Sequence, residues 1–127
     1  MSKVAAVFLF SMLLFGCSLD HGVLVKDIES ISVSRFKNHS FVSEVEYGMG
    51  SNELSEFKLW MEDNIGGWDP YIATVAVGDI LIRGSKFSLN VGKNWAILNY
   101  EVAPNEYRQL SKSIDSNEFM FLENERP

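Results

Sequence analysis

Glu44 and Glu46 are the residues of this chain best spaced for acid–base chemistry. On a strand they leave the same face about 7 Å apart, and a pair of carboxyls can work on a glycosidic bond. The neighbouring pattern gives a plainer reading. Phe41, Ser43, Val45 and Tyr47 alternate with Val42, Glu44 and Glu46, so the two acids mark the solvent side of a strand. Glu62 and Asp63, beside Asn64, gather oxygens that suit calcium, but no D-x-[DN]-x-[DN]-G loop accompanies them. They read as a solvated helix end. The two histidines, His21 and His39, are too few for a structural zinc site. No G-x-S-x-G turn provides a serine nucleophile for either of them. Gly48-Met49-Gly50-Ser51 precedes a helix start, where backbone N–H groups can hold an anion, yet a strand-to-helix turn calls for glycine anyway. The residues therefore point away from an enzyme, and to no catalytic residue, metal or cofactor.

One stretch suits recognition better than catalysis. Gly66-Gly67-Trp68-Asp69-Pro70-Tyr71 sets two rigid aromatics and an acid around a stiff turn, the residue types that anchor protein or glycan contacts. Trp68, Asp69 and Tyr71, with Glu62 and Asp63 nearby, are the expected partner-binding residues. For Trp68 the plainer reading, that it folds over the edge of the core, is the favoured one.

The single cysteine, Cys17, closes an apolar run. Val4 to Phe15 reads VAAVFLFSMLLF after Met1-Ser2-Lys3. A helix of that length spans about 18 Å, short of the bilayer core of about 30 Å. A charged start followed by a short apolar run fits a secretory signal. Leu14-Phe15-Gly16-Cys17 resembles a bacterial lipobox, with Phe15 where that family prefers a small or β-branched residue. The resemblance covers only the first seventeen residues. It implies cleavage before Cys17, a diacylglycerol on its thiol and usually a further acyl chain, such as palmitate, on its new amino terminus. More than one chain makes stable attachment. Ser18, rather than Asp, after the cysteine resembles the outer-membrane sorting pattern. The implied location is a membrane-anchored lipoprotein facing the periplasm, at the outer membrane.

The expected organisation is a signal peptide over 1–16, lipidated Cys17 and a tether over 17–26, and one globular domain over 27–127. Without Lys3 the mature chain sets 17 acids against ten Lys and Arg, a net charge of about −7. The acids are dispersed. Nucleic-acid binding needs a basic footprint and is not expected. With Cys17 lipidated no thiol remains for a disulfide or a thiolate ligand, so the domain must hold itself by packing.

Periodicity then places the elements. Strand patterns run over Ile28–Lys37 and Phe41–Tyr47, joined by a polar turn at Asn38-His39-Ser40. Leu54, Phe57, Met61 and Ile65 fall at helical spacing over Asn52–Asn64, stopped by Gly66-Gly67. Tyr71–Val77, Asp79–Arg83, Lys86–Val91 and Trp95–Glu101 read as strands. Pro104 breaks the pattern, and Tyr107, Leu110 and Ile114 suggest a second helix over Asn105–Ile114. Phe119–Leu122 is a last apolar segment, a helical turn or a short strand. The expected fold class is α+β: a mainly antiparallel sheet of about five to six strands with one or two helices packed on one face.

The functional expectation is a lipid-anchored envelope binding protein without catalytic activity, held to the membrane through Cys17 and recognising a protein partner. One form is an immunity-type protein that neutralises an envelope-targeted toxin. The alternatives are an accessory subunit of an envelope assembly and a cell-wall glycan enzyme using Glu44 and Glu46.

Overall fold

Short turns build most of the sheet. In the computed structural model, which describes Val25 and residues 28–122, Asn38 and His39 alone join β1 (Ile31–Lys37) to β2 (Ser40–Tyr47). Both have positive φ, 51° and 64°, the pattern of a type I′ turn, whose twist matches that of paired strands. Helix α1 (Asn52–Asp63) follows, and Ser51 caps it: its Oγ accepts from Leu54 N at 3.2 Å. Then come β3 (Asp69–Pro70), β4 (Ile80–Arg83), β5 (Phe87–Val91), β6 (Trp95–Ala103), β7 (Glu106–Ser113) and a 3₁₀ helix over Ser116–Leu122.

The strands form one seven-stranded sheet in the order β2-β1-β4-β5-β6-β7-β3, with antiparallel neighbours throughout. Val45, Val33, Ile82, Leu89, Leu98 and Leu110 stand in one register row from β2 to β7. Such a row marks a single inward face, and α1 lies over that side with Leu54, Phe57, Trp60 and Met61 buried. Phe57 stacks on Phe87 at 5.7 Å, and Phe119 and Leu122 of the 3₁₀ helix complete the layer. Each such side chain contributes about 1.5–3 kcal/mol on full burial. Val25 also joins this core, and Ile28 N donates to its carbonyl. The folded part thus reaches back into the stretch expected to be tether. The signal run, Cys17 and most of that tether lie outside the described residues.

Three expectations are corrected. The sheet has seven strands rather than five to six. Residues 106–113, read as a helix, form β7. The two-residue turn Pro104-Asn105, with Asn105 at φ 63°, meets the type II demand for Pro followed by a residue of positive φ, and so returns the chain as a hairpin. Arg108, Leu110 and Lys112 share one side of β7 at period two, and Ile114 just beyond it is also buried. Two of these are long basic chains, which hides the strand pattern. Tyr71–Val77, the most β-branched segment, is not a strand. It leaves β3 at one edge and must reach β4 in the middle, so it crosses the outer face of the sheet as a strap.

Candidate functional site

The strap is held by two side-chain amides. Gln109 Nε2 donates to Tyr71 O and to Ala73 O, both at 3.0 Å. Asn90 Nδ2 donates to Ala76 O at 2.8 Å, while its Oδ1 accepts from Gly78 N at 2.8 Å. Both amides stand on the outer face, because Leu89 and Val91, the neighbours of Asn90, point into the core. Gly78 is required where the strap rejoins the sheet, since a Cβ there would collide with the Val91 carbonyl.

Beneath the strap lies a cleft of about 530 Å³, within the size range of small-molecule sites. Its floor is two cross-strand pairs of β6 and β7, Trp95 opposite Ser113 and Ile97 opposite Ser111. Its roof is Thr74, Val75 and Ala76 of the strap. Asp69 and Tyr71 stand at the end nearest β3, and Lys112 also borders it. The Lys112 ammonium is already engaged. It donates to Gly66 O at 2.7 Å and sits 5.8 Å from the centre of the Trp68 ring. Partial burial holds its pKa below the usual lysine value, against the opposing pull of Glu118.

The expected recognition residues are divided by this arrangement. Asp69 and Tyr71 border the cleft. Trp68 does not: it is 1% exposed, meets Trp60 edge-on at 6.2 Å, and its indole N–H donates to Asn64 O at 2.6 Å. Its candidate role as a partner-binding residue is corrected: Trp68 follows the core reading. Alternation along β3 sends consecutive residues to opposite sides, which is why neighbours in sequence part here. Glu62 and Asp63 are exposed at the end of α1, on the face of the sheet opposite the strap.

Glu44 is committed to local structure. Its Oε1 accepts from Ser32 Oγ at 3.1 Å, Ser34 Oγ at 3.3 Å and Arg83 at 3.1 Å. The two serine hydroxyls, then Arg83, hold its pKa below the ordinary carboxylate value. A carboxylate kept ionised in this way makes a poor general acid. His39 lies in the β1–β2 turn, and His21 lies outside the described residues. Among the described residues no three His, Cys, Asp or Glu side chains are grouped to hold a metal ion. No helix among them is long and apolar enough to cross a membrane.

Sequence reasoning missed Trp95, Ile97, Ser111 and Ser113. A signal was present in WAILNYE. Ala96, Leu98 and Tyr100 fill the core, so Trp95 and Ile97 are apolar residues on the other face, which implies that something covers it. In comparisons with known proteins, no family model, no curated protein and no solved structure matches this chain.

Proposed function

We propose that this chain is a bacterial lipoprotein anchored through Cys17, and that it acts without catalysis by stoichiometric binding of a protein partner in the periplasm. The observation that carries the binding part is the outward side of the strap. Ile72 is fully exposed at 101% and Val77 at 40%, Ala73 beside Ile72 is exposed as well, and none of the three borders the cleft. An apolar, β-branched segment that faces water and adds nothing to the core fits a surface made for contact. Asp69 and Tyr71 flank it and provide a charge and an amphipathic ring. The anchoring part rests on the lipobox resemblance, and the acyl chains hold the domain within reach of envelope partners. The immunity-type form of this reading needs no reaction from the chain: it occludes the partner and remains bound.

The test compares the full chain with Ile72→Asp and Cys17→Ser. Chemical crosslinking in the source cells followed by purification is expected to yield one partner in a one-to-one ratio, lost in Ile72→Asp. Cys17→Ser is expected to release the protein from the membrane fraction. Equal crosslinking by wild type and Ile72→Asp would sink the strap as the contact surface. Unchanged membrane attachment of Cys17→Ser would sink the anchor. The activity of the partner, measured with and without the chain, decides between a neutralised toxin and a structural neighbour.

A further inference from the structure

The underside of the strap raises a different question from its outer side, and it concerns a small ligand. The cleft has a preformed floor and roof, and the exposed Asp69, Thr74, Ala76 and Ser113 at its border open it to solvent. Its lining is mixed. Trp95, Tyr71 and Ile97 offer aromatic and aliphatic surface, while Ser111, Ser113 and Thr74 offer hydroxyls.

Charge narrows the ligand class. Lys112 is among the bordering residues, but its side chain leaves β7 on the inward face, so Asp69 is the charge that faces the site and it disfavours an anion. Lys112 is further occupied by the Gly66 carbonyl and the Trp68 ring, which leaves a phosphate or carboxylate ligand without a free cation. A purely aliphatic ligand would cover the three hydroxyls and leave them without partners, at a cost. An uncharged molecule with both an apolar face and several hydroxyls matches this lining. A pyranose has that character: its C–H face lies on an aromatic ring, and its hydroxyls pair with serine, threonine and carboxylate oxygens.

We propose that the cleft beneath residues 71–79 is a saccharide-binding site, in which Trp95 carries the apolar face of a sugar ring and Ser111, Ser113 and Asp69 receive its hydroxyls. Trp95 is half-buried, and its indole rests on Gly92, where any Cβ would strike the ring. The ring is therefore held in place before a ligand arrives, which lowers the ordering cost of binding.

The experiment uses the full chain in lauryldimethylamine oxide, a detergent without sugar. Cellobiose, maltose and N,N′-diacetylchitobiose are titrated, with inorganic phosphate and octanoate as charged and aliphatic comparators. Saturation-transfer NMR reports contact, and tryptophan fluorescence reports occupancy. At least one disaccharide is expected to saturate with a Kd of about 1 mM or tighter, and phosphate and octanoate are not. Trp95→Ala is expected to weaken that binding about tenfold or more, and Trp95→Phe to retain most of it. Ser113 is exposed, so Ser113→Leu fills the cleft without disturbing the core and is expected to abolish binding even if Trp95→Ala fails to fold. Failure of all three disaccharides to saturate overturns the assignment. So does preferential binding of phosphate or octanoate, or sugar binding that survives Ser113→Leu. Ile72→Asp points away from the cleft and is expected to leave sugar binding unchanged, so the two surfaces fail or succeed separately.

Discussion

Asn90 and Ala76 are joined across the space between sheet and strap. Asn90 Nδ2 donates to Ala76 O, and its Oδ1 accepts from Gly78 N two residues further on. One nearly buried side chain thus satisfies two backbone groups that the strap, having no strand partner there, cannot satisfy by pairing. Asn90→Leu keeps the volume and removes both bonds. It is expected to cost about 1–3 kcal/mol and to speed amide exchange at Gly78, as measured by urea unfolding and hydrogen-exchange mass spectrometry. Exchange unchanged at the strap would show that the remaining Gln109 bonds are sufficient to hold it.

Trp68 and Asp69 are adjacent in sequence and should separate in their energetics. Trp68 packs on Trp60 and gives its N–H to Asn64 O; Asp69 is exposed. Trp68→Ala is expected to destabilise by about 3–5 kcal/mol, the range for emptying an aromatic site in a core. Asp69→Ala should stay within about 0.5 kcal/mol of wild type and alter only binding. Denaturant midpoints for the two variants give the comparison directly.

Glu44 predicts a pH dependence. Ser32, Ser34 and Arg83 favour its charged form, so its pKa in the folded state lies below the ordinary value. The unfolded chain therefore takes up its proton first as pH falls. The contribution is complete above the unfolded carboxylate value and disappears as pH drops through the folded one. Glu44→Gln should lower the unfolding midpoint at neutral pH, and the gap to wild type should close in acid. Because the carboxylate is open to water, the gap is small and shrinks with added salt. A gap that widens in acid would contradict the hydrogen bonding.

What the sequence discloses follows the signals it carries. The β1–β2 hairpin, α1 with its Ser51 cap, and the β5–β6 hairpin were all legible, because alternation and turn residues agree there. β7 was hidden by Arg108 and Lys112, long basic chains on the inward side. Lys112 holds its ammonium 5.8 Å from the centre of the Trp68 ring, and a period of two that includes such a residue looks polar. The strap was misread for the opposite reason. Tyr71–Val77 has the composition of a strand, but β7 and β4 lie on opposite sides of β5 and β6, so the connection must cross the sheet instead of joining it. Two of the cleft residues, Asp69 and Tyr71, were nominated from local residue types. Its roof comes from the strap and its floor from the outer side of β6 and β7, and only the register of those strands brings Trp95 and Ser113 together.

The turn at Asn38-His39 gives a stabilising prediction. Both residues occupy the left-handed region, which costs an L-residue roughly 1–2 kcal/mol relative to its preferred backbone. Asparagine and histidine both meet this cost more readily than most residues, and glycine meets it without a Cβ to strain. His39→Gly removes the strain and creates the Asn-Gly pair most favoured in two-residue type I′ hairpins. Glycine also adds conformational freedom to the unfolded chain, an opposing effect of about 0.4–1 kcal/mol. The strain relieved is the larger quantity, so His39→Gly should stabilise by about 0.5 kcal/mol. His39→Val should destabilise by about 1 kcal/mol or more, because a β-branched residue is poorly accommodated at positive φ. Urea unfolding of the three proteins ranks them, and the expected order is Gly, then His, then Val. His39 lies at the hairpin tip, and β2, the edge strand, and β1 are separated from β6 and β7 by β4 and β5. Sugar binding in the cleft should therefore be the same in all three. A ranking with glycine last would mean that unfolded-chain freedom outweighs the strain at this turn.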